Sequence, residues 1–161
     1  MKSNLQISYT KGKRGFAAKN LLLLLMFFSC FAAHAQNQTL TVISNEKGAP
    51  QQLKLAELKS ILKGEKQRWR NGNKIVIALM KTNTPAGDYT CKKIYDMSGD
   101  EVKKFWLALV FEGKADAPSF FNTESELENF VAENPGAIGI IDQPSSTADA
   151  HVILIDGKKS L

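Results

Sequence analysis

The side chains best suited to chemistry are few and scattered in this sequence. Beyond residue 35 it carries one cysteine, Cys91, and one histidine, His151. A structural zinc site takes about four Cys, His or carboxylate ligands, and a nucleophile needs a base and an orienting partner within reach. Both are hard to assemble from this inventory. Cys91 reads as a small buried apolar residue, and His151, at the start of an apolar run, reads as a surface residue. The carboxylates Glu124, Glu126, Glu128 and Glu133 form the solvated face and first turn of a helix, since nothing brings two of them across a cleft as glycoside chemistry requires. Arg68-Trp69-Arg70 offers two guanidiniums and an indole to an anion, against the plainer reading of an indole packed beside two solvated arginines. These residue types point away from an enzyme and towards binding, and they imply neither cofactor nor metal.

The charge pattern must be read in two parts. Lys2, Lys11, Lys13, Arg14 and Lys19 precede an apolar run over 21–33, which ends in Ala33-His34-Ala35. This is the pattern of a secretory signal peptide over 1–35, cleaved after Ala35. The run is shorter than the roughly 20 residues of a membrane span. Cys30 follows Phe27-Phe28-Ser29, without the aliphatic residue of lipoprotein processing sites, so lipid attachment there ranks behind cleavage. The leader holds five of the 21 basic residues and none of the 16 acidic ones, which leaves 16 of each in 36–161. A nucleic-acid or membrane-surface role therefore loses its electrostatic warrant. The expected localisation is exported, or periplasmic.

The elements that must position any site alternate between strand and helix. An apolar, β-branched run predicts a strand over 40–44, followed by a loop over 45–52. Leu55, Leu58, Ile61 and Leu62 recur at helical spacing and Gly64 stops them, giving a helix over 54–63. Asn71-Gly72 turns the chain into a second strand over 74–80, whose near-continuous apolar character suits burial on both faces. A loop over 82–87 leads to a second helix ending near Met97. A third, over 101–111, should bury Val102, Phe105, Trp106, Leu109 and Val110. Residues 113–121 read as irregular. Thr123 with Glu126 makes a capping box for a fourth helix that buries Leu127, Phe130 and Val131 and ends near Asn134. Strands over 137–141 and 152–155 follow, separated by a loop over 142–150, and 156–161 reads as a frayed tail. Asn134-Pro135-Gly136 cannot continue a helix. Gly139, inside a strand, marks close approach of a backbone, helix or ligand. The pattern is α/β, with one domain over 36–161.

Three segments carry a family likeness. Leu55–Leu79 has a helix ending at aliphatic-x-Gly, a tryptophan, then an x-Gly turn into a strand. Phe105–Phe121 has an aromatic helix, Phe-x-Gly and a proline, and Thr123–Gly139 runs a helix into Pro-Gly-Ala-Ile-Gly. In this order they resemble the phosphate ABC transporter substrate-binding proteins of the type II periplasmic binding protein class. Ile140 stands where a tyrosine is common. Family members have two α/β lobes gripping an oxyanion between them. The 126 residues of 36–161 suit a single lobe of that fold, with a small mixed or parallel sheet flanked by helices.

The resemblance implies phosphate or another oxyanion as ligand, held by hydroxyls and backbone N–H groups at helix N-termini. It implies an ABC permease or another envelope protein as partner, and a single lobe could complete its cleft by forming a homodimer. Where the family has a Ser-Gly-Thr loop, this sequence has Lys81-Thr82-Asn83-Thr84-Pro85-Ala86-Gly87. Lys81, Thr82, Thr84 and Gly87 are thereby the candidate ligand-binding residues. The signature itself is absent, and Asp88 stands where it would repel an anion or cap the helix. Thr82 and Thr84 also fit simple helix caps. The alternative function is an accessory protein of the cell envelope that uses the same lobe without a ligand.

Overall fold

The computed structural model describes residues 39–142 and 150–161. The expected leader, its cleavage site and most of the 142–150 loop lie outside them. Strand β1, Thr41–Asn45, is buried along its whole length. It lies inside a six-stranded sheet of order β2-β6-β1-β5-β3-β4, with β2 at Gln52–Leu53, β3 at Val76–Met80, β4 at Ser119–Phe121, β5 at Ala137–Ile141 and β6 at Ala150–Ile155. β1 is antiparallel to both neighbours, opposing Ile141 with Thr41 and Ile153 with Val42. The pairs β2–β6, β3–β5 and β3–β4 are parallel. β1 thus runs against the other five strands, whose carboxyl ends share one edge with the start of β1.

Side chains alternate between the two faces of this sheet, and each face makes its own core. On one face Val42, Ile77, Leu79, Ile138, Ile140 and Ile153 meet α1 (Leu55–Leu62), a π-helical turn (Cys91–Tyr95) and α3 (Gly99–Phe111). Leu58, Ile61 and Leu62 of α1 are fully buried, each contributing roughly 1.5–3 kcal/mol of transfer free energy. The π-turn continues α2, Pro85–Thr90, and ends at Asp96 in the left-handed region. Tyr95 fixes it: its hydroxyl donates to the Leu62 carbonyl at 2.6 Å and accepts from Trp106 Nε1 at 3.1 Å.

The other face is covered by α4, Glu124–Glu133, through Leu127 and Val131 against Ile43, Ala78 and Ile141. Gly139 lies under this helix. A Cβ placed there would stand 2.5 Å from Leu127 Cδ2 and 3.1 Å from Val131 Cγ2, so the close approach expected at this glycine is that of a helix. Asn45 holds the far end of α4, donating from Nδ2 to the carbonyls of Val131 and Ala132 at 3.0 and 2.6 Å. Asn134, extended before Pro135, ends the helix as expected.

Several expectations need correction. The sheet has two more strands than the pattern suggested, because β2 and β4 are only two and three residues long. Val110 is 41 % exposed instead of buried, since the contact face of α3 is narrow and centred on Val102 and Trp106. The tail is not frayed. Leu161 N–H donates to the Leu40 carbonyl at 2.9 Å, and the return bond from Leu40 measures 3.4 Å.

Candidate functional site

β3 and β4 end side by side, Met80 opposite Phe121, and three helices begin next to them. α2 starts after a tight turn in which Thr84 N–H donates to the Lys81 carbonyl at 2.9 Å. The Thr84 hydroxyl donates to the same carbonyl at 2.8 Å and accepts from Gly87 N–H at 3.1 Å. Gly87 is buried here, and a Cβ on it would collide with the Lys81 carbonyl oxygen. Lys81 N–H in turn donates to the Phe121 carbonyl at 2.9 Å, tying the turn to β4. α3 starts against Thr82, whose Cβ would lie 2.8 Å from a Cβ at Gly99. α4 starts three residues after β4 ends, behind Thr123, and packs on the other face of the sheet.

All three starts are capped by their own side chains. Ser98 and Glu101 form a capping box on α3, and Thr123 and Glu126 form the expected one on α4. The Ser98 hydroxyl and amide both donate to Glu101 at 2.7 Å, and these bonds hold the Glu101 carboxyl below the usual carboxylate range. First-turn carboxylates also sit at every start: Asp88 on α2, Asp100 and Glu101 on α3, Glu124 and Glu126 on α4. They offset the partial positive charge of the helix ends.

Beside the turn that leads into α2, on the α3 face of the sheet, lies an open cavity of about 370 Å³, lined by Lys81, Thr82, Asn83, Lys103 and Phe120. The Lys81 side chain has no hydrogen-bond or ion-pair partner among the described residues. Lys103 makes an exposed pair with Asp100 at 3.1 Å, the kind worth about 0–1 kcal/mol. Of the four residues expected at a site, Lys81 and Thr82 line this cavity. Thr84 and Gly87 lie behind it, shaping the turn. Asn83, Lys103 and Phe120 were not anticipated. Asn83 lay within the quoted loop, whereas nothing local marks the other two, which come from α3 and from a stretch read as irregular.

The remaining candidates are settled by their surroundings. Trp69 is 3 % exposed, and its Nε1 donates to the Gly136 carbonyl at 2.9 Å, so the indole is core while Arg68 and Arg70 are exposed. A second cavity of about 370 Å³ adjoins it at the opposite sheet edge, but there Lys66 is ion-paired with Glu57. Cys91 is buried, and burial pushes its thiol pKa up, with a smaller push from Asp88. Burial likewise pushes Tyr95 up, against the opposing bond from Trp106. His151 is exposed and stands 3.4 Å from Glu46. Glu124 accepts from Asp142 N–H at 2.8 Å and Glu126 caps α4, but Glu128 is buried and not on the solvated face expected of it, because it lies on the side of α4 turned to the protein. Among the described residues no cluster of His, Cys, Asp or Glu could hold a metal, and no helix is long and apolar enough to cross a membrane.

A six-stranded mixed sheet with helices on both faces is a fold that this chain shares with part of larger solved proteins. Solved structures of substrate-binding proteins share this fold with the chain. They include PstS from Borrelia burgdorferi, with TM-score 0.59 and 14% identity over 74% of this chain and 48% of that one. An ABC-type phosphate transport receptor from Vibrio cholerae gives 0.59 and 17% over 79% and 53%. A phosphate ABC transporter substrate-binding protein from Clostridium perfringens, described as putative and solved with bound phosphate, gives 0.56 and 18% over 74% and 45%. The chain spans about half the length of these structures. No protein-family model matches it, and no curated protein sequence does.

Proposed function

We propose that this protein is an exported solute-binding lobe, not an enzyme, that takes an oxyanion of the phosphate type at the carboxyl edge of its sheet. The observation that carries this reading is the cavity where Lys81 and Lys103 stand beside Thr82, at the turn into α2 and against α3. Lys81 and Thr82 meet the anion directly, and Thr84 and Gly87 act on it through the turn they shape. The likeness to phosphate receptors supports the ligand class and an ABC permease or envelope protein as partner. A homodimer would supply the second wall of the cleft.

One observation favours the competing reading of an envelope accessory protein without a solute: Leu107, Val110 and Phe111 stand exposed on α3. A thermal titration separates the two. A ligand of the folded state stabilises it by about 2.7 kcal/mol at a hundredfold excess over Kd, so millimolar phosphate or sulfate should raise Tm, and Lys81→Ala should abolish the rise. An unchanged Tm in simple oxyanions and in organic phosphates alike would leave only the accessory role.

A further inference from the structure

We infer that the solute is an organic anion, a phosphate or carboxylate carrying an aromatic or aliphatic group, and not a bare oxyanion. This rests on the anion-binding reading above and narrows it. A bare oxyanion needs dense hydrogen-bond donors to replace its hydration, and each helix start has already given one first-turn amide to its own cap. The Gly87 amide is bonded to Thr84, the Glu101 amide to Ser98 and the Glu126 amide to Thr123, while Pro85 has no N–H to give. Carboxylates in each first turn weaken what field remains.

The cavity is instead built for a two-part ligand. Its lining is chiefly apolar, and the two lysines beside it, Lys81 and Lys103, supply the charge. Phe120, only half-buried, forms an aromatic wall with nothing in a bare oxyanion to meet it. The aliphatic stems of the lysines extend that apolar surface. A volume of about 370 Å³ lies within the roughly 300–1,000 Å³ of sites for small organic molecules, and a tetrahedral oxyanion alone would fill a small part of it. An anion drawn to these lysines would bring its organic group to a cavity that Phe120 also lines.

Calorimetric titration of the full chain with inorganic phosphate, phenyl phosphate and benzyl alcohol tests this. Phenyl phosphate should bind at least about tenfold more tightly than phosphate, a step of about 1.4 kcal/mol, and benzyl alcohol should bind far more weakly than phenyl phosphate. Lys103→Met, which keeps the stem and removes the charge at an exposed position, should weaken both anions alike and leave their ratio unchanged. Phosphate binding as tightly as phenyl phosphate would overturn the organic-anion inference while sparing the oxyanion reading. Benzyl alcohol matching phenyl phosphate, or no heat from any of the three, would remove both.

Discussion

Gly136 and Gly139 sit three residues apart, yet what each makes room for differs in kind. At Gly139 an added Cβ meets the flexible tips of Leu127 and Val131, which can turn aside at a packing cost. At Gly136 the neighbour is the Lys74 carbonyl, which cannot, and φ is +84°. Gly136 also donates to the Lys47 carbonyl and accepts from Val76 N–H and Trp69 Nε1, so any shift there disturbs three segments. Gly139→Ala should therefore destabilise by about 1 kcal/mol, its overpacking partly offset by the gain from removing a strand glycine. Gly136→Ala should cost about 3 kcal/mol, with backbone strain added to the clash. Urea midpoints of the two variants check the order, and equal losses would contradict the contrast drawn here. Sequence marked both positions, because a glycine after proline and a glycine inside an apolar run are local signals. It did not mark Lys103 or Phe120. Those join Lys81 only through the pairing of β3 with β4 and the abutment of α3 on Thr82, contacts that no local spacing encodes.

Helices were more legible than strands, because helix signals are written into a few consecutive residues. Thr123 with Glu126 announced the start of α4, and both sides of that capping box are present. Ser98 caps α3 in the same way, although the sequence reading placed the helix two residues later. A strand as short as Gln52–Leu53 or Ser119–Phe121 cannot display alternation, and is defined by its distant partners in β6 and β3. The α3 box also gives a pH-dependent prediction. Hydrogen bonds from Ser98 lower the folded-state pKa of Glu101. The stabilisation is thus fully present above the unfolded carboxylate value, near pH 4.3, and is lost as pH falls through the lower folded value. Wild type should be more stable than Glu101→Gln at pH 7, and the gap should close below about pH 4. Paired thermal melts from pH 7 to 3 check this, and a gap that persisted into acid would mean the charge of Glu101 is irrelevant to the cap.

At the scale of the whole molecule, the order of the sheet depends on one strand running against five. Alternation of strand and helix indicated an α/β lobe, but not that β1 would be central and antiparallel to both neighbours, since direction depends on which strands pair across the chain. That arrangement puts the start of β1 at the same edge as the candidate site, where the last residues return to meet it. Asp156 and Gly157, both with positive φ, turn the chain after β6. Ile155 and Lys158 exchange two backbone bonds of 2.8 and 2.9 Å, and Leu161 pairs with Leu40 while packing on the core. The sequence reading of a loose tail failed because polar residues 156–160 carry no apolar pattern, although the turn they form is what returns Leu161 to β1. Removing 158–161 takes away these four backbone bonds, each worth about 0.5–1.5 kcal/mol net. It also unpins the start of the central strand. The truncated protein should lose about 3 kcal/mol, which for a urea m-value of about 1–3 kcal/mol/M lowers the unfolding midpoint by more than about 1 M. A midpoint within error of the full chain would show that β1 holds its register without this closure.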